Sequence, residues 1–391
     1  MSDSRSRALV AYVHYPETLS YTRDWLDAFR SAPSLDVVVA NLATPLGRRR
    51  LRRSVESADL VVLLHTVLGN SLGPVRRCLG PLLSRRAPLL AFVANEVSLP
   101  GQPLAEKVEL LHELEAQFVA TQLLVETSQH LYAATGAKVL AAPHALNPKA
   151  YQSEMASKQR PIDVGFRGAR YLPHVGDEER NRIIDYFAMQ SFDPPLVTDV
   201  RTNVSYDRRG WARFLNRCKG IVGAEAGAVD VRPDDAILRQ AEEQLGVRSG
   251  DLELRARLRP VHRYLPRGAK NFVRRIAERA SGRGQPPAPS APSPVLIGTG
   301  HSGKCVSSRH FDAIGTETCQ ILFPGRYNDL LVADRHYLRL ETDFSNIDDV
   351  LARFRDDAHR TRLAHETREW ALQSHTHAHR IRALLDDVGV H

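Results

Sequence analysis

The chain has 391 residues, 43% of them hydrophobic and 25% charged, and a formal net charge of +8 at pH 7. That hydrophobic share excludes general disorder, and the length suffices for two domains with separate cores. No apolar run is long enough to span a membrane, and the basic balance favours anionic ligands without choosing among nucleotides, phospholipid surfaces and nucleic acid.

The N-terminus leads straight into an apolar strand rather than a signal-peptide segment, so the expected location is the cytoplasm. Cys78, Cys218, Cys305 and Cys319 are scattered and read as reduced thiols there. Residues 8–13 form the first expected strand, ending at His14. A helix over 20–30, with Trp25, Leu26 and Phe29 at helical spacing, is followed by a strand over 35–40. The arginine run 48–53 falls where a connecting helix belongs and reads as its solvated face rather than a nucleic-acid patch. Strands over 60–64 and 89–94, a helix over 104–114, and strands near 118 and over 137–142 continue the alternation. Strands alternating with helices imply βαβ units and a parallel sheet, whose ligands gather at the carboxyl ends of the strands. His14, His65, Asn95 and Glu96 stand at that rim.

Pro143 to Pro148 reads as a domain crossing. Residues 161–168 then begin a second strand–glycine–helix unit, with Gly165, Arg167 and Gly168 in its turn and a helix over 177–189. A helix over 211–219 precedes a strand at 220–223, which ends at Glu225 and Gly227. From 232 to 296 the pattern changes to an insertion, crowded with arginine over 248–283 and proline-rich over 286–294. Its basic helix suits an anionic membrane surface or, more simply, packing on its own domain with a charged outer face.

Gly303 and Lys304 lead into a short helix starting near Ser307 or Ser308, either of which is a competent N-cap. A glycine-containing turn at a helix start, with Lys304, Arg309 and His310 beside it, suits a phosphate or diphosphate. Asp312, one turn further, can accept hydrogen bonds from sugar hydroxyls. Gly315 and Thr316 stop the helix, and 319–323 reads as a buried strand. A strand over 337–340, a helix capped by Ser345 or Asn346, and helices over 356–372 and 375–388 complete the chain. His375 and His379 share a helix face but have no third ligand, so no metal site is assigned.

Three of these features, in this order, resemble the donor domain of glycosyltransferases with the GT-B fold: the Gly165–Gly168 turn, the Glu225–Gly227 turn and the segment from Ser308 to Glu317. They are most similar to the spore-maturation (CgeB-like) and family 1 group, where Arg-His/Phe-Phe-Glu-Ala-x-x-x-Gly-Thr precedes a short apolar strand. The Ala-Leu-Asn-Pro-x-x-Tyr hinge over 145–151 and the pair Thr376 and Arg380 are similar as well. The resemblance implies an α/β fold of two Rossmann-like domains facing each other across a cleft. It puts an acceptor domain at 1–147, a donor domain at 148–375, and a terminal helix at 376–391 packing back on the first domain.

By the same resemblance, a sugar passes from a nucleoside diphosphate sugar, of UDP or GDP type, to a hydroxyl or amine without a metal ion. The acceptor is a polysaccharide, a lipid, a protein or a small natural product. Asp312 would hold the ribose, where the family more often has Glu. Gly165, Arg167, Gly168, Gly227, Gly303, Ser308, His310, Gly315 and Thr316 would surround the nucleotide. Lys304 and Arg309 would stabilise the leaving diphosphate, Glu225 would face the cleft, and His14, His65 or Glu96 would serve as the base of an inverting reaction. Three other readings stay open: a non-catalytic nucleotide- or carbohydrate-binding protein, an epimerase, and a basic protein peripheral to a membrane or bound to nucleic acid. Nucleic acid is the least favoured, because no aromatic residues interleave the arginines.

Overall fold

The computed structural model describes residues 5–14, 20–69, 71–96, 103–171, 175–202, 204–239 and 301–390. Nearly continuous runs of Val, Leu and Ala give strands buried on both faces, the pattern of a parallel sheet covered by helices. The first sheet contains β1 (Ser6–Tyr12), β2 (Leu35–Asn41), β3 (Leu60–Leu63), β4 (Leu89–Val93), β5 (Phe118–Thr121) and β6 (Lys138–Ala141). Their order is β2-β1-β3-β4-β5-β6, with every pairing parallel. The connecting helices are α1 (Ser20–Arg30), α2 (Pro45–Ser54), α3 (Gly73–Arg76), α4 (Leu79–Leu83), α5 (Leu104–Glu113) and α6 (Val125–Leu131). The short helices α3 and α4 were not legible in the sequence.

Strand alternation divides the core in two. Leu9, Ala11, Val61 and Leu63 face Leu51, Leu68 and Leu110. Ala8, Val10, Leu60 and Val62 face Trp25 and Phe29 of α1. The arginine run forms the outside of α2, where Thr44 accepts a hydrogen bond from the Gly47 N–H (3.0 Å) and Pro45 fits the first turn. Only Gly47, Leu51 and Ser54 of that helix are buried.

The second sheet contains β7 (Ile162–Arg167), β8 (Thr198–Arg201), β9 (Cys218–Gly223), β10 (Cys319–Leu322) and β11 (Leu338–Arg339). Its order is β11-β10-β9-β7-β8, again all parallel. Around it lie α7 (Glu179–Met189), α8 (Arg208–Asn216), α9 (Ser308–Gly315), α10 (Ile347–Arg355) and α11 (Asp357–Ser374), and a last helix, α12 (His377–Val388), follows. Strand β8, Thr-Asp-Val-Arg, is an edge strand too polar to be read from its sequence. The basic stretch 248–283, its membrane reading and the proline-rich run all lie outside the described residues.

The chain crosses between the sheets twice, and the two crossings touch. The Leu146 N–H donates to the His375 carbonyl (2.9 Å), and the His377 N–H donates to the Leu146 carbonyl (3.1 Å). Helix α12 then packs on the first sheet, placing Ile381, Leu384 and Leu385 among Trp25, Phe29 and Leu35. Val175, Ala226, Ala228, Val231 and Cys305 of the second half share one apolar cluster with Leu68, Leu104 and Leu123 of the first. Polar bonds fix this junction: Asp235 accepts from the N–H groups of Leu104 (2.7 Å) and Ala105 (2.9 Å), and Arg208 bridges Asp24 (2.6 Å) and Asp27 (3.0 Å).

Candidate functional site

In a parallel sheet all strands deliver their carboxyl ends to one edge, and the loops there carry function. In the second sheet β7, β9 and β10 end beside the start of α9, enclosing a crevice lined by Phe166, Gly223, Ala224 and Leu322 from the strand ends. Ser307, Arg309 and His310 enter it from α9, Arg180 from α7 and Trp211 from α8. Ser307 is the N-cap, one residue before the helix proper. Its N–H donates to Nδ1 of His310 (3.0 Å), which makes Nδ1 an acceptor and leaves the ring proton on Nε2, towards the Ala224 carbonyl. Burial, reinforced by Arg180, lowers the His310 pKa to about 3. His310 is therefore a neutral strut between α9 and β9, not the phosphate-binding cation expected from the sequence.

Two guanidinium groups converge on Gly168, just past the end of β7. A side-chain carbon at Gly168 would lie 2.6 Å from Nη2 of Arg180 and 2.6 Å from Nη1 of Arg309. Arg309 donates to the Arg167 carbonyl. Burial and the neighbouring Arg180 charge lower its pKa to about 10. Among the described residues neither arginine has a carboxylate partner. Their neighbours are aromatic instead: Arg180 lies 4.6 Å from the ring centre of Tyr171, and Arg309 lies 5.5 Å from that of Trp211. The two cations repel one another, and Asp312, the acid that acts on Arg309, is driven towards its neutral form by burial, so an anion between them would be favoured. Arg180 was missed in the sequence because it is an ordinary helical arginine, brought to Gly168 only by the packing of α7.

The other expected residues are mostly spent elsewhere. Arg167 pairs with Asp199 (2.6 Å) under the Phe214 ring (4.0 Å); burial opposes its charge, but Asp199 outweighs that and raises its pKa. Lys304 is held by Glu179 and by Asp177 (3.4 Å); burial opposes its charge, yet the two acids lift its pKa above the ordinary lysine value. Glu225 accepts the Tyr327 N–H (2.6 Å) and is 7% exposed, so it braces a turn rather than facing open space; burial raises its pKa. Asp312, 3% exposed, accepts from Trp211 Nε1 (2.9 Å) and does not line the crevice. Burial pushes its carboxyl well up, with Asp24 adding to the effect.

The glycines divide in the same way. A side chain at Gly165 would strike the Cys218 Sγ (2.5 Å) and Phe214 (2.9 Å), so this glycine serves core packing. Gly227 has φ +111°, and a carbon there would lie 1.9 Å from the Gly303 carbonyl oxygen. These two glycines let 226–231 pair with 301–305, and the Gly303 N–H is used on the Ala228 carbonyl (3.0 Å). Gly315 packs against Leu146 and Tyr151, and Thr316 bonds back to the Asp312 (3.2 Å) and Ala313 (3.1 Å) carbonyls at the end of α9. Ser308 is the first residue of α9 and is half-buried. Of the residues expected at the nucleotide, Arg167, Arg309 and His310 line the crevice, and Gly168 lies against the Arg180 and Arg309 guanidinium groups at its edge.

At the rim of the first sheet, Glu96 is buried against Lys107 (2.7 Å) and the Tyr132 hydroxyl (2.6 Å), so it is not a free base. His65 is buried beside Gln122 (2.9 Å). His14, past the end of β1, is exposed, with its N–H on the Asn41 Oδ1 (3.3 Å). A larger cavity, about 600 Å³, lies between α1, residues 146–149 and α12. Its charged lining carries both signs, and Asp24 and Asp27 already share Arg208, so the crevice is the stronger anion site. Among the described residues no group of three or more His, Cys, Asp or Glu is placed to hold a metal ion, and no helix is long and apolar enough to cross a membrane.

No protein-family model and no curated protein matches the chain. Among solved structures, it is similar to Anabaena Alr3699/HepE in complex with UDP and glucose, at 9% identity over 98% of this chain and 100% of that one, with a TM-score of 0.53. A glycosyltransferase from Rickettsia africae ESF-5 has 8% identity over 98% of both chains and a TM-score of 0.46. The first likeness shows a shared fold: α/β, with two Rossmann-like domains in the GT-B arrangement.

Proposed function

We propose that this chain is a glycosyltransferase whose donor is a nucleoside diphosphate sugar of the UDP type. The observation that carries the reading is the pair Arg180 and Arg309, converging without a carboxylate on Gly168 at the carboxyl edge of the second sheet. A diphosphate supplies the anion this pair lacks, and the structure sharing the fold holds UDP and glucose. The crevice as it stands has about 30 Å³ of space, the share of one water molecule. A diphosphate therefore enters by drawing Arg309 off the Arg167 carbonyl, exchanging one acceptor for stronger, charged ones.

In the reaction, the acceptor oxygen or nitrogen attacks the anomeric carbon, and the bond from that carbon to the diphosphate oxygen breaks. The electron pair stays on the diphosphate, where Arg180 and Arg309 meet the charge as it develops. The acceptor proton passes to His14 in an inverting course or to the departing diphosphate in a retaining one. The two guanidinium groups supply the positive charge, so the reading needs no metal ion.

Calorimetric titration of the full chain with UDP, GDP and UDP-glucose tests the reading. We expect UDP to bind and Arg180→Ala or Arg309→Ala to weaken it by about tenfold or more, the worth of one charge-assisted hydrogen bond. Unchanged UDP affinity in both variants would sink the site. A second reading, binding without transfer, is favoured by one observation: Glu96 and Glu225 are both committed to structural partners. It predicts UDP-glucose binding with neither hydrolysis nor transfer across an acceptor panel.

A further inference from the structure

The crevice contains an aromatic support that the anion site itself does not explain. The Arg309 guanidinium lies over the Trp211 ring, its carbon 5.5 Å from the ring centre. Phe214 backs the same indole, the two rings 5.7 Å apart and inclined by 22°. The indole Nε1 donates to Oδ2 of Asp312 at 2.9 Å. Arg309 and Asp312 are three residues apart on α9, so α8 sends one side chain that touches both.

A carboxylate beside Arg309 would fix it but would also neutralise the charge an anionic ligand needs. An aromatic face attracts the cation while leaving its charge available. The cost is a polar N–H on a largely buried ring, which requires an acceptor. Asp312 supplies it.

We propose, resting on the anion site argued above, that Asp312 is a positioning residue: its carboxyl anchors the Trp211 indole, and the indole face holds Arg309 beside Arg180. Asp312 thus serves phosphate binding through Trp211 rather than by touching the ribose. Burial favours its neutral form, so an asparagine oxygen can take its place as acceptor.

Inorganic pyrophosphate, which has no ribose, separates the two roles. The full chain is titrated with pyrophosphate and with UDP in the wild type, Arg309→Ala, Asp312→Ala, Asp312→Asn and Trp211→Leu. The expected result is that Asp312→Ala and Trp211→Leu weaken pyrophosphate by about tenfold, while Asp312→Asn stays within about twofold of wild type. If Asp312→Ala weakens UDP but leaves pyrophosphate unchanged, the ribose contact is right and the inference is overturned. It is overturned equally if Asp312→Asn is as weak as Asp312→Ala, which would mean a charge effect, or if Trp211→Leu binds normally. Unchanged pyrophosphate affinity in Arg309→Ala, or no binding to the wild type, would sink the anion site itself, a separate outcome. Should Asp312→Ala lose its fold by circular dichroism, Asp312→Asn and Trp211→Leu carry the decision.

Discussion

The carboxyl edges of the two sheets are built from similar strands and treat charge in opposite ways. At the first sheet, Glu96 is buried with Lys107 and Tyr132 as partners, and the groups neutralise one another. At the second, Arg180 and Arg309 are brought together without a carboxylate and rest on aromatic rings. The first arrangement is the one that stability favours. The second is costly for the fold, and cost without structural return marks a ligand site. This contrast is what supports the proposed anion site at the second edge.

Acid should break both regions together, and it gives the largest expected effect. Burial holds the pKa of His144, His310 and His377 at about 3, below the ordinary 6.5. Above pH 6.5 these rings are neutral whether the chain is folded or not. Below it, the unfolded chain takes up protons that the folded chain cannot. Stability then falls by about 1.4 kcal/mol per pH unit for each ring, about 4 kcal/mol for the three, until the folded pKa is reached. Urea denaturation between pH 7 and 5 measures this. A flat profile would show that these rings are hydrated.

Removing a partner at the first edge is next in size. Glu96→Ala leaves Lys107 buried with its charge unpaired, and the expected loss is about 3–5 kcal/mol. Affinity for UDP in the surviving folded fraction should be unchanged. A loss below about 1 kcal/mol in urea denaturation would mean that the pair is solvated and that the contrast between the edges is weaker than drawn.

Much of the fold could be read from the sequence because it rests on local pattern. Apolar runs such as 60–63 and 319–322 mark buried parallel strands, and helix α9 has its stop at Gly315 and Thr316. Strand β8 escaped because an edge strand needs few apolar residues. Residue chemistry at the site was legible only where it was local. Gly168 and Arg309 stand out beside a turn and a helix start, but Arg180 meets them only through tertiary packing. The surroundings of Lys304 were hidden for the same reason: its flanking glycine suggests a phosphate loop, while the acids that pair with it, Asp177 and Glu179, lie more than a hundred residues earlier.

That contrast gives the smallest and most discriminating expectation. Lys304 and Arg309 are five residues apart and both basic, and sequence reasoning treats them alike. In the fold one is surrounded by acids and the other by rings and a second arginine. Lys304→Met leaves Asp177 and Glu179 without their cation, so stability should drop by about 2 kcal/mol at pH 7. The fall should shrink at lower pH, because burial already raises the Asp177 pKa and protonation removes the repulsion. UDP affinity should change by less than about threefold, within the range of an indirect electrostatic effect. A tenfold loss of UDP affinity with unchanged stability would mean that Lys304 leaves its acids when the nucleotide binds, and the anion site would then extend to the 301–305 segment.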